Sequence, residues 1–219
     1  MTTANFWHWY DSIRSQLGDR EISFTKMFQY LDTVPGTVTI VETGCTRQPG
    51  NWSGDGQSTV LFDQYVQARG IDSCVYSVDI DESAVTKCRN LVSAQTQVTA
   101  SDSVGYLQQL GQELVDNSRS ISLLYLDSYD VDFAYWFASA AHHLKELAAV
   151  GPYIDAETLV VVDDCGLAPV LTQDDNGNLK VARQGGVGGK GRLVAEYATA
   201  VDATLKFAHY QVGWTNFRK

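Results

Sequence analysis

Acidic side chains cluster where apolar runs of this chain give way to loops. Glu42, with Thr43 and Gly44, follows a β-branched run at 37–41. Asp79 and Asp81 follow a second run at 74–78, and Ser101, Asp102 and Ser103 a third at 97–100. Asp127 and Asp130 follow 121–126, and Asp163 and Asp164 follow 158–162. Chance would rarely end five runs this way in a chain with 26 acidic residues among 219. Carboxylates brought together repel one another, and a divalent cation relieves that repulsion. An all-oxygen set such as Asp127, Asp163 and Asp164 suits Mg²⁺, Mn²⁺ or Ca²⁺ better than zinc. Capping accounts for some of the pattern, because Asp before a helix is a good N-cap. A polar, solvated strand end is the plain alternative for Asp163–Asp164.

The runs read as strands because they are short, β-branched and largely apolar, as expected for strands covered on both faces, with 97–100 the weak one among them. Helical spacing separates them at 58–70, 83–92, 104–115 and 133–147. Alternating strands and helices predict an α/β fold, a Rossmann-like doubly wound sheet that is mostly parallel. About seven strands are expected, the last one antiparallel. Two amphipathic helices precede the first strand, a cap over 1–36. A core over 37–164 follows. Asn176-Gly177 between 170–173 and 179–183 predicts a β-hairpin insertion after the fifth strand. The stretch Gly185 to Gly191 reads as a lid or a plain connector, since Gln184 and Gly191 break a phosphate-loop pattern. A helix from about 192 to 203 and two strands, 205–211 and 214–218, complete a single domain over 1–219. The last two read as an antiparallel hairpin closing the sheet edge.

In such sheets ligands bind outside the carboxyl ends of the strands. Gly44, then Gly56 and Ser58 at a helix start, then Asp79 at the end of the second strand, form an ordered nucleoside signal. A structural glycine turn with a capping aspartate is the alternative. The carboxylates disfavour a pyrophosphate and favour a cationic nucleoside such as S-adenosyl-L-methionine. His142 and His143 read as surface or helix-end residues, and Trp52 as covering a ligand or pinning its loop.

Composition narrows the partners. The net charge is −10 with no basic stripe, which argues against nucleic acid. No apolar run approaches a membrane span, and Met1 to Tyr10 lacks the pattern of a signal peptide. Four dispersed cysteines, none in C-x-x-C, fit a reducing cytoplasm better than a disulfide scaffold. The aromatic-rich first helix would build a homodimer interface or cap the site.

These motifs resemble a known group. Val41-Glu42-Thr43-Gly44 resembles the first motif of macrocin-type sugar O-methyltransferases, within the class I S-adenosylmethionine-dependent methyltransferases. Leu126-Asp127-Ser128-Tyr129-Asp130 and Leu159 to Asp164 resemble their metal motifs, which catechol-type O-methyltransferases share. The resemblance spans 37–164. It implies that Glu42 and Gly44 line the methionine end of the cofactor, that Asp79 holds the ribose, and that Ser101 and Asp102 lie near the adenine. It implies Mg²⁺, or another divalent cation, on Asp127, Asp163 and Asp164. Asp127 and Asp130 would be catalytic, Asp130 taking the proton of a small-molecule hydroxyl acceptor. The segment 45–55 departs as an insertion, and the hairpin after Asp164 has no counterpart. Two other activities share the fold: a cephalosporin-hydroxylase-like metal enzyme, and a non-catalytic cofactor-binding protein.

Overall fold

The computed structural model describes residues 3–132, 134–166, 170–183 and 186–217. Phe133, Gln184, Gly185 and Arg218, which figure in the sequence patterns above, lie outside the described residues. Five strands run parallel: β1 (Thr39–Thr43), β2 (Cys74–Asp79), β3 (Thr96–Ala100), β4 (Leu123–Leu126) and β5 (Leu159–Val162). Helices α1 (Ala4–Ile13) and α2 (Glu21–Thr33) precede β1, with a 3-10 segment, Arg14–Arg20, between them. A short helix α3 (Trp52–Asp55) and then α4 (Ser58–Arg69) link β1 to β2. The crossovers α5 (Glu82–Arg89), α6 (Ser103–Asp116) and α7 (Phe137–Val150) follow β2, β3 and β4. A two-stranded hairpin, β6 (Val170–Gln173) and β7 (Leu179–Arg183), then precedes α8 (Arg192–Ala200), β8 (Thr204–Ala208) and β9 (Val212–Thr215).

The main sheet has the order β3-β2-β1-β4-β5-β9-β8. β9 is antiparallel to both its neighbours, β5 and β8. As the sequence reading expected, the last two strands form an antiparallel hairpin that closes the sheet edge, with β9 against β5 and β8 outermost. Strand order reverses between β1 and β4, which opens a crevice at their carboxyl ends.

Side-chain alternation explains why both sheet faces are covered. Ile40, Leu123, Tyr125, Leu159 and Val161 face a layer built from α1, α2 and α4, with Phe6, Phe24, Phe28, Phe62 and Tyr65. Val41, Leu124, Leu126, Val160 and Val162 face the opposite layer, with Leu107, Leu114, Leu147 and Val194. The aromatic side of α1 and α2 therefore turns inward. Trp52 pins its loop to α1, meeting Trp9 edge-on at 6.3 Å between ring centroids.

Several boundaries move from their expected places. β1 extends through Thr43, because Glu42 and Thr43 pair with Ser77 and Val78 on one side and with Tyr125 and Leu126 on the other. α7 starts at Phe137, after the turns that follow β4. No described helix is long and apolar enough to cross a membrane.

Candidate functional site

Gly44 is the first fixed point at the crevice. It has φ +80°, and a Cβ there would sit 2.6 Å from the Asp127 carbonyl oxygen. Only glycine tolerates both demands, so β1 and the end of β4 meet backbone to backbone. The Gly44 amide donates to Val78 O at 2.8 Å, and the Asp127 amide to Thr43 O at 2.9 Å. The Cys45 amide donates to Asp79 Oδ2 at 3.1 Å, tying the first loop to the end of β2.

Glu42 supports this loop from beneath. Its Oε2 accepts from Thr59 Oγ1 at 2.7 Å and Ser77 Oγ at 2.6 Å, and Thr59 Oγ1 in turn accepts from the Thr46 amide. Among the described residues its Oε1 meets no partner in good hydrogen-bond geometry. Burial pushes the carboxyl up to about 8, against the lowering effect of hydrogen bonds from Ser58, Ser77 and Thr59.

The resulting cleft, about 190 Å³, is lined by Gly44, Arg47, Ser58, Asp79, Asp127 and Asp130, among others. It brings together Gly44, Ser58, Asp79, Asp127 and Asp130 from the expected set. The rest of that set lies elsewhere. Glu42 is fully buried below the loop. Gly56 makes room for Arg20, whose Cδ would be 3.0 Å from a Cβ at that position. Ser101 donates its amide to Asp79 O, and Asp102 caps α6 by accepting from the Gly105 amide at 2.9 Å. Larger concavities occur near α8 and below α7, lined mostly by apolar side chains and away from the strand ends.

Arg47 spans the mouth. Its Nη1 lies 3.0 Å from Asp130 Oδ2, and its Nε is 3.3 Å from Asp55 Oδ1. Asp130, expected as a proton acceptor, is therefore an exposed rim residue in an ion pair.

The expected metal trio does converge, but the chain supplies its own cations. Asp163 accepts from Arg20 Nε at 2.8 Å and from Tyr125 Oη at 2.6 Å. Asp164, with φ +46°, accepts from Arg20 Nη2 at 2.8 Å, Tyr210 Oη at 2.6 Å and Lys190 Nζ at 2.9 Å. Lys190 Nζ also donates to Asp127 Oδ1, and to Asp127 O at 3.4 Å. Burial alone would lower the Lys190 pKa; the carboxylates of Asp127, Asp164 and Asp163 reverse that and hold the ammonium charged. Among the described residues no group of three His, Cys, Asp or Glu is arranged to hold a metal ion. The arrangement of Asp127, Asp163 and Asp164 does not fit the Mg²⁺ expected there. Their oxygens already face a guanidinium and an ammonium, and a hard divalent cation needs those same oxygens.

Sequence reasoning missed four residues here. Lys190 is carried in the glycine stretch, where only its isolation among glycines could have drawn notice. Arg20 sits at the junction before α2, and no pattern marks it. Glu146 is fully buried on α7 and braces the site from below, accepting from Ser128 Oγ at 2.6 Å and Thr43 Oγ1 at 3.2 Å. His143, expected at a surface or helix end, is fully buried, with Nδ1 at 2.7 Å from Ser139 O and Nε2 without a hydrogen-bond partner among the described residues. Burial lowers its pKa to about 4. Ser139, Ala140, His143, Glu146, Leu147 and Val150 share one helical stripe, so His143 and Glu146 recurring at helical spacing among its apolar residues were the available signal.

Solved structures match this fold. MycE Methyltransferase from the mycinamycin biosynthetic pathway, in complex with Mg and SAH, superposes with a TM-score of 0.53 at 12% identity over 88% of this chain. The fold is that of the class I methyltransferases. The chain spans 48% of the MycE chain. SMU.1697c of Streptococcus mutans, solved in complex with SAH, shares the methyltransferase fold with a TM-score of 0.51, 11% identity, and coverage of 89% of this chain and 97% of that one. The sugar N-methyltransferase KedS8 from Streptoalloteichus sp ATCC 53650 matches at 0.50 and 11% identity, over 96% and 92% of the two chains. No protein-family model and no curated protein matches the chain.

Proposed function

We propose that the chain binds S-adenosylmethionine in the β1–β2–β4 cleft and transfers its methyl group to a hydroxyl of a small molecule. The observation that carries this reading is the wedge of Gly44 against the Asp127 carbonyl, with Asp79 beside it. The wedge keeps side chains out of the crevice and leaves backbone to meet a ligand. Asp79 offers a carboxylate at the end of β2, the place where α/β nucleoside sites hold ribose hydroxyls. Asp79, Asp127 and Asp130 together favour a cationic ligand over a phosphate. The neighbours solved with SAH support the same cofactor.

When bound, the cofactor supplies an electrophilic sulfonium methyl. The chain's own part is to bind, orient and exclude water. At about 190 Å³ the cleft is smaller than the roughly 300 Å³ at which ligand pockets begin. Opening of the Arg47–Asp130 pair would widen it. Asp130, once released from Arg47, would stand at the rim to take a hydroxyl proton. The acidic chain supports a small, uncharged or cationic acceptor over nucleic acid, and the four dispersed cysteines support a reducing, cytoplasmic setting.

A second reading is favoured by the chain's own cations on the trio: a cofactor-binding chain without turnover. The two separate on one assay. Calorimetry with S-adenosylmethionine should give micromolar binding that Asp79→Ala weakens at least tenfold, and hydroxyl acceptors should then release S-adenosylhomocysteine. Binding without release from any acceptor supports the second reading, and absence of binding overturns both.

A further inference from the structure

The carboxylates at the ends of β4 and β5 carry a cation of the protein's own making. Lys190 is 1% exposed, and its Nζ meets Asp127 Oδ1, Asp127 O and Asp164 Oδ2. An ammonium has three hydrogen bonds to give, and these three acceptors use them. We propose that Lys190 is a resident cation, held by the segment 186–191 between Asp127 and Asp164, and that it makes this site independent of divalent metal.

The backbone around Lys190 fixes it in place. The Lys190 amide donates to Asp164 O at 3.2 Å, and the Gly188 amide to Gly166 O at 2.9 Å. Gly191 lies so close to Cys165 that a Cβ there would sit 2.4 Å from the thiol sulfur. Glycine on this side therefore lets the segment dock against the chain just after β5 and drive its one lysine inward. The stretch that read as a lid or connector is, over 186–191, a docked carrier of charge.

Charge balance closes the argument. Arg20 serves Asp163 and Asp164, and Lys190 serves Asp164 and Asp127, so two cations answer three carboxylates. A divalent ion in the same place would face Lys190 at close range in a poorly solvated pocket, where like charges repel strongly. Asp127, 20% exposed, borders the cleft; burial pushes its carboxyl up to about 8, against the lowering pull of Lys190. The inference refines the proposed activity, but its test reads metal binding and needs no turnover.

The test is a Mn²⁺ titration followed by electron paramagnetic resonance on chelator-treated full-length protein. Wild type should bind Mn²⁺ no more tightly than about 1 mM. Lys190→Ala should gain at least tenfold in Mn²⁺ affinity, and adding Asp127→Asn should abolish the gain. Lys190→Gln, which keeps hydrogen bonding and removes the charge, is measured alongside in case the alanine variant fails to fold. Submillimolar binding by wild type that Asp127→Asn removes would overturn the proposal. So would a folded Lys190 variant with no gain. S-adenosylhomocysteine binding, measured on the same samples, fails or holds independently of this result.

Discussion

Arg20 Nε lies 2.8 Å from Asp163 Oδ2 and joins the segment before α2 to the end of β5, 143 residues later in the chain. Its Nη2 reaches Asp164 at the same distance, and its Nη1 donates to Gly54 O at 3.3 Å. The N-terminal helices, the loop after β1 and the end of β5 thus meet on one guanidinium. Both members of the Arg20–Asp163 pair are buried, so neither charge is solvated without the other.

Removing the arginine should be costly. Arg20→Met leaves Asp163 buried without its cation, which costs about 3–5 kcal/mol. Asp163→Asn in the same background should recover part of the loss. Denaturant unfolding of the two single variants and the double measures the coupling. Additive losses would show that the pair does not act as a unit.

The wedge at Gly44 gives a second prediction. Gly44→Ala brings a Cβ to 2.6 Å from a backbone carbonyl at a left-handed φ. Strain of this kind costs about 1–3 kcal/mol before the clash is counted. The variant should lose at least ~2 kcal/mol of stability and most cofactor affinity. A Gly44→Ala protein with unchanged melting temperature would remove the close approach from the account.

Glu42 ties stability to pH. Its folded pKa of about 8 exceeds the ordinary 4.5, so the folded protein holds a proton that the unfolded chain has released between those values. Its contribution is fully present below pH 4.5 and is lost as pH rises through about 8. Glu42→Gln should therefore gain on wild type by about 3–4 kcal/mol as pH is raised from 5 to 8. Parallel stability curves for the two proteins would contradict the shift.

His143 acts in the opposite sense. Its folded pKa of about 4 lies below the ordinary 6.5, so the neutral ring favours the folded state. That contribution is present above pH 6.5 and is lost as pH falls to about 4, some 3 kcal/mol in all. The difference in stability between wild type and His143→Phe should shrink across this window on acidification. A difference that stays constant would mean that the ring titrates alike in the folded and unfolded chain, and would contradict the shift.

The pair at the cleft mouth should matter for rate, not for stability. Arg47 and Asp130 are 51% and 72% exposed at their side chains, and such pairs contribute under about 1 kcal/mol. Arg47→Ala should leave the melting temperature nearly unchanged and speed cofactor association in stopped flow. Slower association would make Arg47 a ligand contact instead of a bar.

Much of the fold was legible because its signals are local and periodic. The runs at Ile40–Val41, Leu123–Leu126 and Leu159–Val162 are apolar at every position, as strands covered on both faces must be. The Asn176-Gly177 turn announced the hairpin, and Gly177 does take a positive φ. Gly44, Asp79 and Asp127 were found because parallel strands bring their carboxyl ends together. The cations were not legible. Arg20 and Lys190 reach the trio from segments 143 and 26 residues away in sequence, and nothing around either residue encodes that approach. Three carboxylates in one place read as a metal site, until the lysine among glycines supplies their counter-charge. Asp81 and Asp102 were carboxylates of the other kind, capping α5 and α6.

The central claim is that the β1–β2–β4 cleft binds S-adenosylmethionine, and amide hydrogen exchange with and without S-adenosylhomocysteine tests it most directly. The account predicts slowed exchange at 42–47, 79–81 and 127–130, and little change along α8 and β8. Protection confined to the grooves near α8 or below α7, or no protection at saturating ligand, would contradict it.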